Sequence, residues 1–262
     1  MICLDVLKDG KRNAVAVSFD DGSFDEEVVR IFNRYGIKGT FNLITNAVDP
    51  GDYARLRRLY QGHELACHGT YHKSLDVLPA ANINLEIFQH RKVMEEIAGC
   101  PVCGLAYANG RYTQEVIHAL RAAGIVYART AACTGGYQFP EDFMRWNPTC
   151  HINAGHNGVQ EAAAFLKAME GYFSGPRLFF AYSHGHEFQG RFERLEEFCS
   201  LIGGNQDIWY ASTMELYEYV TAQRSLRISA DNRLIYNPTA VEVWFSCGDQ
   251  IYSAGPGQTV RL

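Results

Sequence analysis

The sequence predicts an α/β chain whose seven strands suit a barrel or an open doubly wound sheet, the barrel-like form being favoured, with a small C-terminal β appendage. Three observations predict it. Strand-like and helix-like patterns alternate from residue 14 to residue 223, as repeated βα units do when they build a parallel sheet with helices outside it. The polar residues Asp20, Asp21, His68 and His184 close different strand-like runs, at the edge where parallel α/β folds assemble their chemistry. After about residue 225 the texture changes to short β-type runs broken by Asp-Asn, Asn-Pro, Cys-Gly-Asp and Gly-Pro-Gly. The expected division is a barrel over residues 1–224 and a β-rich extension over 225–262.

The first strand is AVAVSF (14–19), an apolar run of the kind a fully covered parallel sheet needs. It is followed by FDEEVVRIFNRYG, where Val28, Ile31, Phe32 and Tyr35 fall at helical spacing and Gly36 closes the helix. GTFNLI (39–44), ELACH (64–68), CGLAYA (103–108), IVYART (125–130), LFFAYSH (178–184) and DIWYAS (207–212) supply the other strands. The intervening helices are DYARLRRLYQG, LEIFQHRKVMEEIAG, TQEVIHALRAAG, VQEAAAFLKAMEGYF, RFERLEEFCSLIG and TMELYEYVTAQ.

Composition narrows the function. With 262 residues, 47% of them hydrophobic, the chain can bury one large core. A net charge of -5 and the lack of a Lys/Arg block argue against a nucleic-acid partner. No apolar run approaches the roughly 20 residues that span a bilayer, so no membrane partner is expected. The N-terminus has no secretory pattern, and a cytoplasmic setting is expected, with the eight cysteines as reduced thiols. Cys100-Pro-Val-Cys103 has redox or zinc spacing but no second pair.

Two short motifs carry the chemistry. SFDDG (18–22) ends a strand in adjacent carboxylates. A turn and a helix cap would need only one. HGTYH (68–72) sets two histidines four apart, which face one way if the segment is helical. One carboxylate with two imidazoles leaves open positions on a zinc-like ion, the mark of a catalytic rather than a structural site.

SFDDG, HGTYH, LAYANGRY and YSHGHEF resemble, in order, the motifs of the polysaccharide deacetylase superfamily (carbohydrate esterase family 4, NodB homology). The resemblance covers most of the chain except the β tail. It implies a distorted (β/α) barrel and a metal-dependent hydrolase acting on carbon–nitrogen (non-peptide) bonds. Its reaction would remove an acetyl group, by de-N-acetylation or de-O-acetylation, from a sugar or glycoconjugate. Asp21, His68 and His72 would bind one divalent transition metal, zinc first, with Co, Ni, Mn or Fe as alternatives. Asp20 would be the general base, His184 the general acid, and the Asn109 backbone N–H an oxyanion donor, with Tyr107, Arg129 and Trp146 as further oxyanion or substrate residues. His186 competes with His184, which stands where the motif has its histidine.

The pattern also breaks. Ala106 occupies the place of the arginine that orients the base in the family's third motif, and Arg111, Arg129 or Arg145 could substitute. The fourth motif has no clear match; DFMRW (142–146) is the best candidate, with Trp146 a sugar-stacking wall or plain core. Two alternatives therefore stay open: an amidohydrolase opening a cyclic amide or ureide, and a non-catalytic carbohydrate-binding member of the fold.

Overall fold

A computed structural model describes residues 1–153, 158–171 and 174–262. His156 and the last two residues of the helix expected over 159–173 lie outside the described residues. The strands are β1 (Ile2–Cys3), β2 (Asn13–Asp21), β3 (Gly39–Leu43), β4 (Glu64–Cys67), β5 (Gly104–Ala106), β6 (Tyr127–Arg129), β7 (Cys150–His151), β8 (Arg177–His184), β9 (Ile208–Tyr210), β10 (Arg227–Ile228), β11 (Leu234–Tyr236), β12 (Val243–Cys247), β13 (Gln250–Ala254) and β14 (Thr259–Arg261). The helices are α1 (Asp25–Tyr35), α2 (Tyr53–Leu59), α3 (Ala80–Ala98), α4 (Gln114–Ala122), α5 (Gly158–Met169), α6 (Glu193–Ile202) and α7 (Thr213–Arg224).

The main sheet runs β6-β5-β4-β3-β2-β8-β7 and is parallel throughout. It curls until its edges meet. Trp146 bridges Arg129 on β6, while Cys150 and His151 pair with β8. The Trp146 N–H donates to Ala128 O, and the Thr149 N–H to Phe180 O. The segment 146–152 therefore takes the seventh barrel position. DIWYAS was expected there, but β9 instead forks off the start of β2, pairing with Asn13, Ala14 and Val15.

Side-chain alternation along β2 sets the layers. Val15, Val17 and Phe19 face the helices, where Phe19 meets Phe32 edge-on at 5.4 Å. Ala14 and Ala16 face inward with Trp146, Phe180 and Leu178. Ser18 and Asp20 continue the inward row, so the barrel's apolar plug gives way to polar groups at its C-terminal end. Helix ends follow local chemistry: Gly36, at φ 66°, closes α1, and Ser212 with Glu215 forms a reciprocal cap on α7.

Residues from both chain ends make the second unit. β1 pairs with β12, so one sheet is β1-β12-β13 and the other is β10-β11-β14. Ile2, Ile235, Phe245 and Ala254 fill the space between them. Gln223 of α7 donates to Val6 O, and Tyr219 OH accepts from the Trp244 N–H, fixing this unit to the barrel. All eight cysteines are free thiols. Among the described residues no helix is long and apolar enough to cross a membrane.

Candidate active site

Asp20 stands in register with Asn42 on one neighbouring strand and His184 on the other. Asn42 donates to its Oδ1 at 2.8 Å, and His184 Nε2 lies 3.8 Å from its Oδ2. Arg129 of β6 donates its guanidinium to Oδ2 and is itself stacked on Tyr182 at 4.3 Å. Burial alone would raise the Asp20 carboxyl. Arg129, His68, His184 and the Asn42 amide outweigh it and hold the pKa below the ordinary value.

Arg129 is the register partner of Ala106. The guanidinium absent from β5 is thus delivered from the adjacent strand at the same level, with the small Ala106 beside it. Arg111 pairs instead with Asp76, and Arg145 with Asp142 and Gln114.

Asp21 ends β2 with φ 75°, and it shares His68 with Asp20, whose Oδ2 lies 3.8 Å from His68 Nε2. Asp21 Oδ1 lies 3.5 Å from the same Nε2 and 3.9 Å from His72 Nε2. The HGTYH segment is not helical. Gly69 at φ 89° and His72 at φ 53° fold it into a loop that brings the two rings to 4.7 Å. The spacing served a turn rather than a helix face, because the run follows directly from β4. His68 Nδ1 donates to Ala106 O at 2.9 Å, which leaves the Nε2 lone pair facing Asp21. The His68 backbone N–H in turn donates to His90 Nε2. Burial pushes the His68 imidazole below its ordinary pKa, so it is held neutral as a metal ligand must be.

These donors fit a divalent transition ion. The Asp21, His68 and His72 ligand atoms lie within 4.8 Å of one another. Asp21 Oδ1 and His68 Nε2 are buried without a hydrogen-bond partner, a cost that a shared cation would remove. His186 Nδ1, on an exposed side chain, stands 4.0 Å from the other Asp21 oxygen.

Sequence reasoning missed the group behind His184. Glu187 Oε1 lies 3.5 Å from His184 Nδ1 and 3.4 Å from His151 Nε2, and its Oε2 accepts from Ser183 Oγ and the His184 N–H. Burial would raise the Glu187 carboxyl, but His151, His184 and Ser183 hold it far below its ordinary value. Burial lowers His184, but the neighbouring Glu187 carboxylate, with the Asp20 and Asp21 charges, overcomes it and raises its pKa above 6.5. A carboxylate three residues past a strand-terminal histidine was the available signal. His151 had none.

Two expectations are corrected. Trp146 is 1% exposed, packed edge-on against Tyr127, Phe143 and Phe180, and offers no face to a sugar. Tyr107 is also buried. Its OH donates to Met144 O and its N–H to Arg129 O, so neither polar group is available to an oxyanion or substrate. Asn109, at φ 57°, lies in the turn after β5, and its side chain donates to Ser74 Oγ.

Comparison with known proteins agrees with this architecture. Residues 7–128 match the family model described as polysaccharide deacetylase. Among solved structures, the chain resembles the Xyl-CE4 domain of a multidomain xylanase from the hindgut metagenome of Trinervitermes trinervoides. Identity there is 22%, with 81% of this chain and 92% of that chain covered and a TM-score of 0.56. A Mycobacterium smegmatis protein assigned to the polysaccharide deacetylases matches with 19% identity, 86% and 96% coverage and a TM-score of 0.62. A family 4 acetyl xylan esterase from Clostridium thermocellum, in complex with a cobalt ion, matches with 17% identity, 78% and 90% coverage and a TM-score of 0.52. No curated protein matches the chain. The family match, over residues 7–128, takes in SFDDG, HGTYH and the strands that carry them, and over those residues the chain is similar to the polysaccharide deacetylases.

Proposed function

We propose that this protein is a metal-dependent hydrolase that removes the acetyl group from an N-acetylated sugar or glycoconjugate. The observation that carries the reading is the division between adjacent carboxylates. Asp21 Oδ1 faces two imidazole nitrogens, while Asp20 is gripped by Arg129 and Asn42 and faces His184. A protein that only bound sugars would have no use for a separately held base beside a ligand set.

Asp21, His68 and His72 would hold the ion, zinc first. When bound, it would supply an acidified water and polarise the acyl carbonyl. Asp20, kept ionised, accepts the proton as water adds to the acyl carbon. The Asn109 N–H supports the developing oxyanion, a contribution of roughly 3–4 kcal/mol for one well-placed donor. His184, whose pKa the Glu187 carboxylate raises, gives its proton to the departing nitrogen. The two shifts run in opposite directions, Asp20 down and His184 up, as a base and an acid require. The likeness to an acetyl xylan esterase and a Xyl-CE4 domain supports an acetylated carbohydrate as the substrate class.

The test is a product assay on zinc-loaded protein with N-acetylglucosamine oligomers, an O-acetylated xylan and a cyclic ureide. Acetate from the N-acetylated sugar supports the reading. Ring opening without acetate release would replace it with cyclic amide hydrolysis.

A further inference from the structure

Among the described residues, six other than glycine have positive φ: Asp9, Asp21, Phe24, His72, Asn109 and Asn232. Asp and Asn tolerate this region, so Asp9 and Asn232 are ordinary turns. Asp21, His72 and Asn109 each have a place in the proposed chemistry. That leaves Phe24, a bulky aromatic for which φ 59° is a genuine outlier. Strain of this kind persists only where the surrounding structure over-determines it, and it clusters at active sites and ligand clamps.

Helix capping does not call for phenylalanine there. Phe24 is the N-cap of α1 and makes no side-chain cap bond, where Asn, Asp or Ser would satisfy a free helix N–H. Phe24 is 44% exposed, with Phe192 as ring neighbour at 6.3 Å. Its backbone is held against the turn that carries His184. A Cβ added to Gly185, the residue after His184, would lie 1.8 Å from Ser23 O and 3.3 Å from Phe24 Cβ. Residues 23–24 are therefore pressed against the His184 turn, three residues after Asp21.

We propose that Phe24 is a substrate-contacting residue whose exposed ring packs on the apolar C–H face of the pyranose carrying the acetamido group. The inference rests on the deacetylase reading and adds a specificity element to the same site. A flat apolar ring in water beside a polar centre matches a sugar, which presents C–H bonds on one face and hydroxyls at its edge.

The experiment is steady-state kinetics on zinc-loaded wild type, Phe24→Asn and Phe24→Tyr, with N-acetylglucosamine oligomers and with 4-nitrophenyl acetate, which has no sugar ring. Asn suits both the backbone and the cap, so Phe24→Asn should melt no lower than wild type. Its KM for the oligomer should rise about tenfold with kcat within about twofold, and turnover of the aryl ester should not change. Phe24→Tyr should keep the wild-type KM. An unchanged oligomer KM in Phe24→Asn overturns the proposal, and a lower melting temperature with unchanged KM assigns the ring to packing instead. Should Phe24→Asn fail to fold, Phe24→Leu, apolar but not flat, is read by the same criteria. Wild type that hydrolyses the aryl ester but no sugar removes the deacetylase reading and this inference with it.

Discussion

Arg129 on β6 and Asp20 at the end of β2 are joined by a buried charged hydrogen bond, although 109 positions separate them. The pair keeps an unliganded carboxylate ionised inside the barrel mouth, and the candidate chemistry starts from it.

Arg129→Met should therefore strand Asp20 as a buried charge. Losing one partner of a buried pair typically costs about 3–5 kcal/mol, so denaturant unfolding should show a loss of that order. Acetate release should fall at least about a hundredfold while zinc stoichiometry holds, because Asp21, His68 and His72 are untouched. Equal turnover in mutant and wild type would remove Arg129 from its assigned place.

The pH profile follows from His184. Its pKa is raised above 6.5, so the proton it must donate is present below that raised value and lost as pH rises through it. Activity should fall on the alkaline side accordingly. Glu187→Gln removes the main raising group, and the alkaline limb of kcat should move toward lower pH. The acid limb, which reports Asp20, should stay below the ordinary carboxylate range. A limb unmoved by Glu187→Gln would show that some other group is the acid.

Asp25 gives a stability prediction separate from catalysis. Its carboxyl accepts from Tyr60 OH, but Oδ1 is buried without a partner. Burial pushes its pKa to about 7, with Asp20 and Asp21 adding to the rise. The folded protein thus binds a proton that the unfolded chain has released above the ordinary value of 3.8, and stability declines as pH rises from about 4 toward 7. Asp25→Asn cannot ionise. Relative to wild type it should gain up to about 4 kcal/mol between pH 4 and pH 8 in urea unfolding. A difference independent of pH would contradict the assignment.

Trp146 offers a check on the barrel interior. Trp146→Phe should lower stability by about 1–3 kcal/mol through lost packing. KM for an acetylated sugar should stay within about twofold. A large KM effect would restore the sugar-wall role that its burial denies.

Much of this site was legible in the sequence because its parts sit where short motifs meet strand ends. Asp20, Asp21 and His68 close strand runs, and His184 closes the run that pairs with Asp20. What stayed hidden depends on neighbours across the barrel. Arg129 is an arginine at a strand end like any other until the β5–β6 register sets it opposite Ala106. Segment 146–152 has too few consecutive apolar residues to read as a strand, yet it joins β6 to β8. Ile2–Cys3 reads as a ragged N-terminus until Cys247 and Ser246 pair with it. Glu187 could be seen in sequence, but its place between two histidines could not.

The central claim is that a metal held by Asp21, His68 and His72 is required for deacetylation. The direct measurement is acetate release from N-acetylglucosamine oligomers by chelated protein titrated with zinc, compared with the His68→Ala, His72→Ala double variant. The account predicts no turnover without metal, restoration complete at about one equivalent, and none in the double variant at any zinc concentration. Undiminished turnover by the chelated protein, or by the double variant, would contradict it.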